Sequence, residues 1–310
     1  MKRARSGRLS AFLAEAAPLF SAVSAAQAPT FSVQVLPNLA GGTGTSVSAI
    51  NNAGEAVGSA GGGSSICPRG CPAVWIDGTP TALGSVPGTA GGLVYSINNA
   101  GQAAGDALTS GNSQAVIWNN GTPTLLTSPG SQYTQTFATS INASGEIVGQ
   151  AEGPSNTNQQ AVAWNSSTPT VLSLLSGSTS GLAWGINSNG LIVGTICCDI
   201  GEPQAVVWHG TTPTLLPRLK PTHGANGAVA NGKALAVNNL GVIVGVGASA
   251  GGQETATAWA NGSVTALGML SGYRSSAAAV NNRGIIVGDS DTVDYSEPHA
   301  VIWSGTCQWI

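Results

Sequence analysis

Six times along the chain a short apolar run ends in Asn, crosses two variable residues to a Gly, and resumes as a second short run that itself ends in Gly. The first occurrence is Ile50-Asn51-Asn52-Ala53-Gly54-Glu55-Ala56-Val57-Gly58, and the others begin at Ile97, Ile141, Ile186, Val237 and Val280. The fixed pairs are Asn51/Gly54, Asn98/Gly101, Asn142/Gly145, Asn187/Gly190, Asn238/Gly241 and Asn281/Gly284. An Asn at the first position of a type I turn can accept from the backbone two residues on. A Gly at the fourth can adopt the left-handed conformation that closes a hairpin through a bulge. The pattern predicts two strands joined by a tight turn.

About twenty residues later comes a run with no polar alternation, ending in Trp: Trp75, Trp118, Trp164, Trp208, Trp259 and Trp303. Such runs suit strands buried on both faces, with the Trp residues as core fillers. A turn then leads to stretches such as Thr79-Pro80-Thr81 and Thr168-Pro169-Thr170. Pro has no backbone donor, so this strand is predicted to be outermost.

Four short strands per unit, with Trp-to-Trp steps of 43, 46, 44, 51 and 44 residues, match propeller blades of roughly 40 to 45 residues. The expected fold is an all-β, six-bladed β-propeller of four-stranded repeats, with an open β-repeat array as the alternative. Residues 31–39 resemble a fourth strand with no first three before it, as Val264 to Gly268 shows by comparison. They are expected to close the last blade, whose outer slot the final residues, Thr306 to Ile310, also suit.

Composition agrees. Only 7% of residues are charged and Gly numbers 44, which favours strands and turns over solvated helices. Lys2, Arg3, Arg5 and Arg8 precede a mostly apolar run from Leu9 to Val23, followed by Ala26-Gln27-Ala28. This predicts a secretory signal peptide over 1–28, hence an exported protein, with residues 31–310 as the folded part. Beyond residue 28, six basic residues face twelve acidic ones, which argues against a nucleic-acid partner. No later run is long enough to span a bilayer.

The hairpin, with His299-Ala300-Val301-Ile302-Trp303, resembles the extracellular repeat family named for its His-Ala-Phe tripeptide (HAF repeats). The likeness covers residues 31–310. Gln114, Gln160 and Gln204 stand where that family has His. The resemblance implies export and a propeller-like repeat; it brings no established activity.

Candidate chemistry is sparse. Cys67 and Cys71 flank a turn and are expected to form a local disulfide in an exported protein. Asp289, Asp291 and Asp294 lie along one short stretch and could ligate calcium; zinc on Cys67, Cys71, Cys197 and Cys198 is the weaker alternative, because the spacing is not that of a zinc site. Glu55 and Glu146, beside the turn Gly, read as exposed turn residues. The three histidines, His209, His223 and His299, form no motif with a nucleophile or metal spacing. The expected function is a non-enzymatic binding or surface module for a glycan or protein. The alternatives are a carbohydrate-active propeller enzyme with carboxylates converging on the axis, and a purely structural surface repeat.

Overall fold

The computed structural model describes residues 34–39, 42, 44–61, 70–109, 111–197, 203–219, 232–248, 253–292 and 298–304. The chain divides into units 1–35 and 36–310. Of the first only Gln34 and Val35 are described, neither in a helix or strand. The second holds every strand described below.

Blade 1 comprises β1 (Thr45–Ile50), β2 (Ala56–Ala60), β3 (Cys71–Ile76) and β4 (Thr79–Ala82). Blade 2 comprises β5 (Gly92–Ile97), β6 (Ala103–Leu108), β7 (Ser113–Asn119) and β8 (Thr122–Leu125), and blade 3 comprises β9 (Gln135–Ile141), β10 (Ile147–Glu152), β11 (Gln160–Asn165) and β12 (Thr168–Val171). Blade 4 comprises β13 (Ser180–Ile186), β14 (Leu191–Cys197), β15 (Gln204–His209) and β16 (Thr212–Leu215), and blade 5 comprises β17 (Gly232–Val237), β18 (Ile243–Ala248), β19 (Glu254–Ala260) and β20 (Ser263–Ala266). Blade 6 has three described strands, β21 (Ser275–Val280), β22 (Ile286–Asp291) and β23 (Pro298–Trp303). Every sheet is an antiparallel meander in sequence order. The fold is a six-bladed β-propeller.

The turn chemistry read from the sequence is what closes the inner hairpins. Gly54, Gly101, Gly145, Gly190, Gly241 and Gly284 all have φ between 73° and 84°, the left-handed region open to Gly without steric penalty. Gly54 N–H donates to the Asn51 carbonyl at 3.1 Å and Asn51 N–H to that of Glu55 at 3.0 Å. The Gly ending each second run has a different cause. A Cβ on Gly149 would lie 1.9 Å from the Phe137 carbonyl oxygen, and Gly58, Gly105, Gly194, Gly245 and Gly288 are equally close to their inner strands.

That close approach accompanies a β-bulge in every innermost strand. Register shifts between Val47/Ala49, Val94/Ser96, Ala183/Gly185, Ala234/Ala236 and Ala277/Ala279, and at Val148/Gly149 opposite Thr139, leave one extra residue per blade. These extra residues are Ser48, Tyr95, Thr139, Trp184, Leu235 and Ala278. A bulge re-aims a side chain.

The core lies in the seams between blades. Trp164 packs with Ala104, Ala115 and Leu126 from the blade 2 side and with Ala138 of its own blade, and Trp208 packs with Val148 and Leu172 from the blade 3 side. Trp75, Trp118, Trp164, Trp208 and Trp259 are all buried. The Thr-Pro-Thr strands are outermost, as expected: Pro80 pairs with Trp75 and Pro169 with Trp164, and the threonines beside them are exposed. Leu36 and Leu39 pack on blade 1 against Trp75, the place that Leu83 takes beside Trp118. Residues 34–39, expected as a strand closing the last blade, are in no strand; residues 31–33 and Thr306 to Ile310 lie outside the described residues.

Between blades 6 and 1 the packing differs. Ile50 is 67% exposed, against 6% for Ile141, and Val287 is 40% exposed, against 0% for Val148. Trp303, expected in the core, is only half-buried: it packs on the seam with blade 5, but β23 has no outer strand beside it among the described residues. Among the described residues no helix is long and apolar enough to cross a membrane.

Candidate binding site in the central channel

The six hairpin turns surround a cavity of about 560 Å³ at one end of the axis. Five of the six motif Asn residues there tie one blade to the next. Asn98 Oδ1 accepts from the N–H groups of Ala100 and Gln102 at 3.0 Å each, and its Nδ2 donates to the Asn142 carbonyl of blade 3 at 3.0 Å. Asn51, Asn142, Asn187 and Asn238 repeat the inter-blade donation, to Asn98, Asn187, Asn238 and Asn281. Asn281, last in the chain of bonds, is exposed. With both ends of the amide engaged in Asn51, Asn98, Asn142, Asn187 and Asn238, this girdle organises the fold and leaves little of those five side chains free for a ligand.

Glu55 and Glu146 belong to that girdle, which corrects the reading of them as exposed turn residues. Both are half-buried and accept from Asn51 Nδ2 and Asn142 Nδ2. Gln102 does the same for Asn98 at 2.8 Å. In these three blades the slot supplies an acceptor for the spare Asn hydrogen; where Leu191, Val242 or Ile285 stands the turn forms without one.

Deeper in the channel the chemistry changes. A cavity of about 360 Å³ is lined by Tyr95, Phe137, Thr139, Gln150, Trp184 and Leu235. Four of these are the bulge residues of blades 2 to 5. On the other blades the bulge holds only Ser48 and Ala278, so the aromatic wall is confined to one side of the ring. Sequence reading missed this site because an inner-strand Tyr or Trp looks like ordinary strand filler. A signal existed: two residues before each Ile-Asn or Val-Asn, a column of the repeat holds Ser, Tyr, Thr, Trp, Leu and Ala.

Two side chains of this wall, Trp184 and Tyr95, are held from behind by the residue that follows the Val-Gly or Ala-Gly of their own blade. Trp184 Nε1 donates to Thr195 Oγ1 at 3.2 Å. The Tyr95 hydroxyl and that of Ser113 bond the Asp106 carboxyl, which is 1% exposed. Burial pushes the Asp106 carboxyl above its usual range, against the pull of those two hydroxyls. Burial likewise raises the Tyr95 phenol, and the Asp106 carboxylate adds to the rise. In blade 3, Gln150 Nε2 donates to Glu152 Oε1 at 2.7 Å, and Gln159 Nε2 reaches the same oxygen at 2.9 Å. Gln150 Oε1 and Asp106 Oδ1 are buried without a hydrogen-bond partner. Orphaned buried acceptors are uncommon and mark places to look for function.

The other predicted site residues lie elsewhere. Cys71 is half of a disulfide, and Cys67, its expected partner, lies outside the described residues. Asp289 and Asp291 are on β22, whereas Asp294 lies outside the described residues. Among the described residues no group of three His, Cys, Asp or Glu is placed to hold a metal. His209 and His299 are exposed on separate blades, and His223 is outside the described residues. Among the described residues no carboxylate lines the channel cavity itself. Asp106 stands behind Tyr95, and Glu152 is engaged by two amides.

No family model matches the chain, and no curated protein matches it in sequence. Solved structures resemble its fold. A Mycobacterium tuberculosis puromycin-hydrolysing peptidase aligns over 82% of this chain and 41% of its own, at 10% identity and a TM-score of 0.53. TolB from Acinetobacter baumannii aligns over 67% of this chain and 49% of its own, at 12% identity and a TM-score of 0.43. The Aleuria aurantia lectin, a six-bladed β-propeller with a described fucose recognition mode, aligns over 72% of this chain and 76% of its own, at 13% identity and a TM-score of 0.37. The chain thus spans no more than about half of the peptidase or of TolB. At these identities the likeness concerns the fold alone.

Proposed function

We propose that this chain is an exported, non-enzymatic binding module of the HAF-repeat kind, which holds a glycan or a protein segment at the aromatic wall of its central channel. The observation that supports the reading is the contrast between constant and variable positions. The Asn girdle, the seam Trp residues and the close-approach Gly residues repeat around the ring, while the bulge position varies from Ala278 to Trp184. A scaffold with no ligand has no need of Tyr95, Phe137 and Trp184 around one cavity, where they forgo part of their burial. Concave sites lined by aromatic groups with a few fixed polar atoms are the usual form of a small-ligand site. An array of immobilised glycans probed with the purified protein tests the reading. Selective binding is expected, and a blank array with folded protein would remove the glycan half of it.

A further inference from the structure

We propose that the channel cavity is a subsite for a single uncharged pyranose unit, stacked on Trp184 and Tyr95 and hydrogen-bonded through Gln150. The inference rests on the binding reading above and narrows its ligand.

Three observations lead to it. The first is size and character: about 360 Å³ lies within the range of small-ligand sites, and the lining is aromatic and aliphatic with two polar side chains, Thr139 and Gln150, and no charged group. A ligand carrying a carboxylate or ammonium would lose its hydration there without gaining a counter-charge. A pyranose presents an apolar C–H face to an aromatic ring and hydroxyls around its edge, which is the complement of this lining.

The second is orientation. Glu152 holds Gln150 by its Nε2, so the amide is fixed with Oε1 as the unspent atom, and that oxygen has no partner. An acceptor of this kind calls for a donor, and a sugar hydroxyl is one; a purely apolar ligand would leave the orphan in place. Thr139 Oγ1 is close to two carbonyls, Val148 at 3.0 Å and Ala183 at 2.8 Å, which leaves its oxygen able to accept from a second hydroxyl.

The third is rigidity. Trp184 is tied to Thr195 and Tyr95 to Asp106, so the stacking faces exist before the ligand arrives and little side-chain freedom is lost on binding. Because the equivalent positions of blades 1 and 6 are Ser48 and Ala278, the subsite occurs once per chain.

The test is isothermal titration of the full chain with the methyl glycosides of glucose, galactose, mannose and fucose, with glucuronic acid and N-acetylneuraminic acid as charged counterparts. The same titrations are run on Gln150→Leu, which keeps bulk and removes the acceptor, and on Trp184→Phe and Trp184→Ala. At least one neutral glycoside should bind with one site per chain and bind at least tenfold more weakly to Gln150→Leu. Affinity should be partly retained in Trp184→Phe and abolished in Trp184→Ala, with near-wild-type melting of the variants as the folding control. Preference for the charged sugars, several equal sites per chain, indifference to Gln150→Leu, or no binding by any neutral glycoside would overturn the subsite. A charged or non-sugar ligand that is lost on Trp184→Ala would refute the ligand class while leaving the channel reading intact. Ligand binding that ignores Trp184→Ala would end both.

Discussion

Trp164 Nε1 donates to the backbone carbonyl of Thr127 at 2.8 Å, across the seam between blades 3 and 2. Trp118 repeats the bond to Gly84, Trp208 to Ser173 and Trp259 to Pro217, each just past the outer strand of the preceding blade. Trp75 does so to Pro37, at 2.8 Å. The indole therefore fills a seam and fastens it. Trp164→Ala should lower stability by about 3–5 kcal/mol in urea denaturation. Trp164→Phe should lose less but measurably, because the Thr127 carbonyl loses its donor. An unchanged unfolding midpoint in either would contradict this placement.

The amide of Asn98 makes bonds that no other side chain of its size reproduces. Asn98→Ala leaves the Ala100 and Gln102 N–H groups without partners and takes from the Asn142 carbonyl its inter-blade donor, at about 1–3 kcal/mol for each orphaned group that water does not reach. Asn281→Ala, at the exposed end of the girdle, should cost much less. Equal losses at the two positions in chemical denaturation would show that the inter-blade bonds contribute little.

Much of this was readable from the sequence for a physical reason. Turn residues such as Asn51 and Gly54 act through local backbone geometry, so their spacing alone names the hairpin, and six recurrences name the propeller. Pro80 and Pro169 likewise announced the outer edge by what they cannot donate. The role of Glu55 was not readable, and the channel site left only a variable column in the repeat, because both depend on contacts made by closing the repeats around an axis. Tyr95 lies 42 residues from Phe137 in the chain, and only a bulge turns its side chain toward the same cavity.

The Val-Gly and Ala-Gly glycines offer a sharp contrast. Gly149→Ala places a Cβ 1.9 Å from the Phe137 carbonyl oxygen, so destabilisation should reach or exceed the ~1–3 kcal/mol usual for overpacking. Gly111, with nothing within 4 Å of its Cβ position, should accept Ala with a change of no more than about 0.5 kcal/mol. Thermal melts of the two variants distinguish them, and comparable melting would refute the close approach.

Asp106 predicts a pH dependence of defined sign. Its carboxyl is raised in the folded chain, chiefly by burial. A group of this kind contributes stability fully present below its unfolded pKa, about 3.9, and lost as pH rises through the folded value. The stability of the parent relative to Asp106→Asn should therefore fall as pH rises from below that point. Melting curves of both proteins from acid to neutral pH give the comparison, and parallel curves would place the carboxyl in an environment no different from water.

The most direct test of the binding account is the glycan array run with the parent and Trp184→Ala side by side, after both are shown to be folded. The account predicts a selective signal in the parent that disappears in the variant. An equal signal from both proteins would show that the channel is not where the ligand sits.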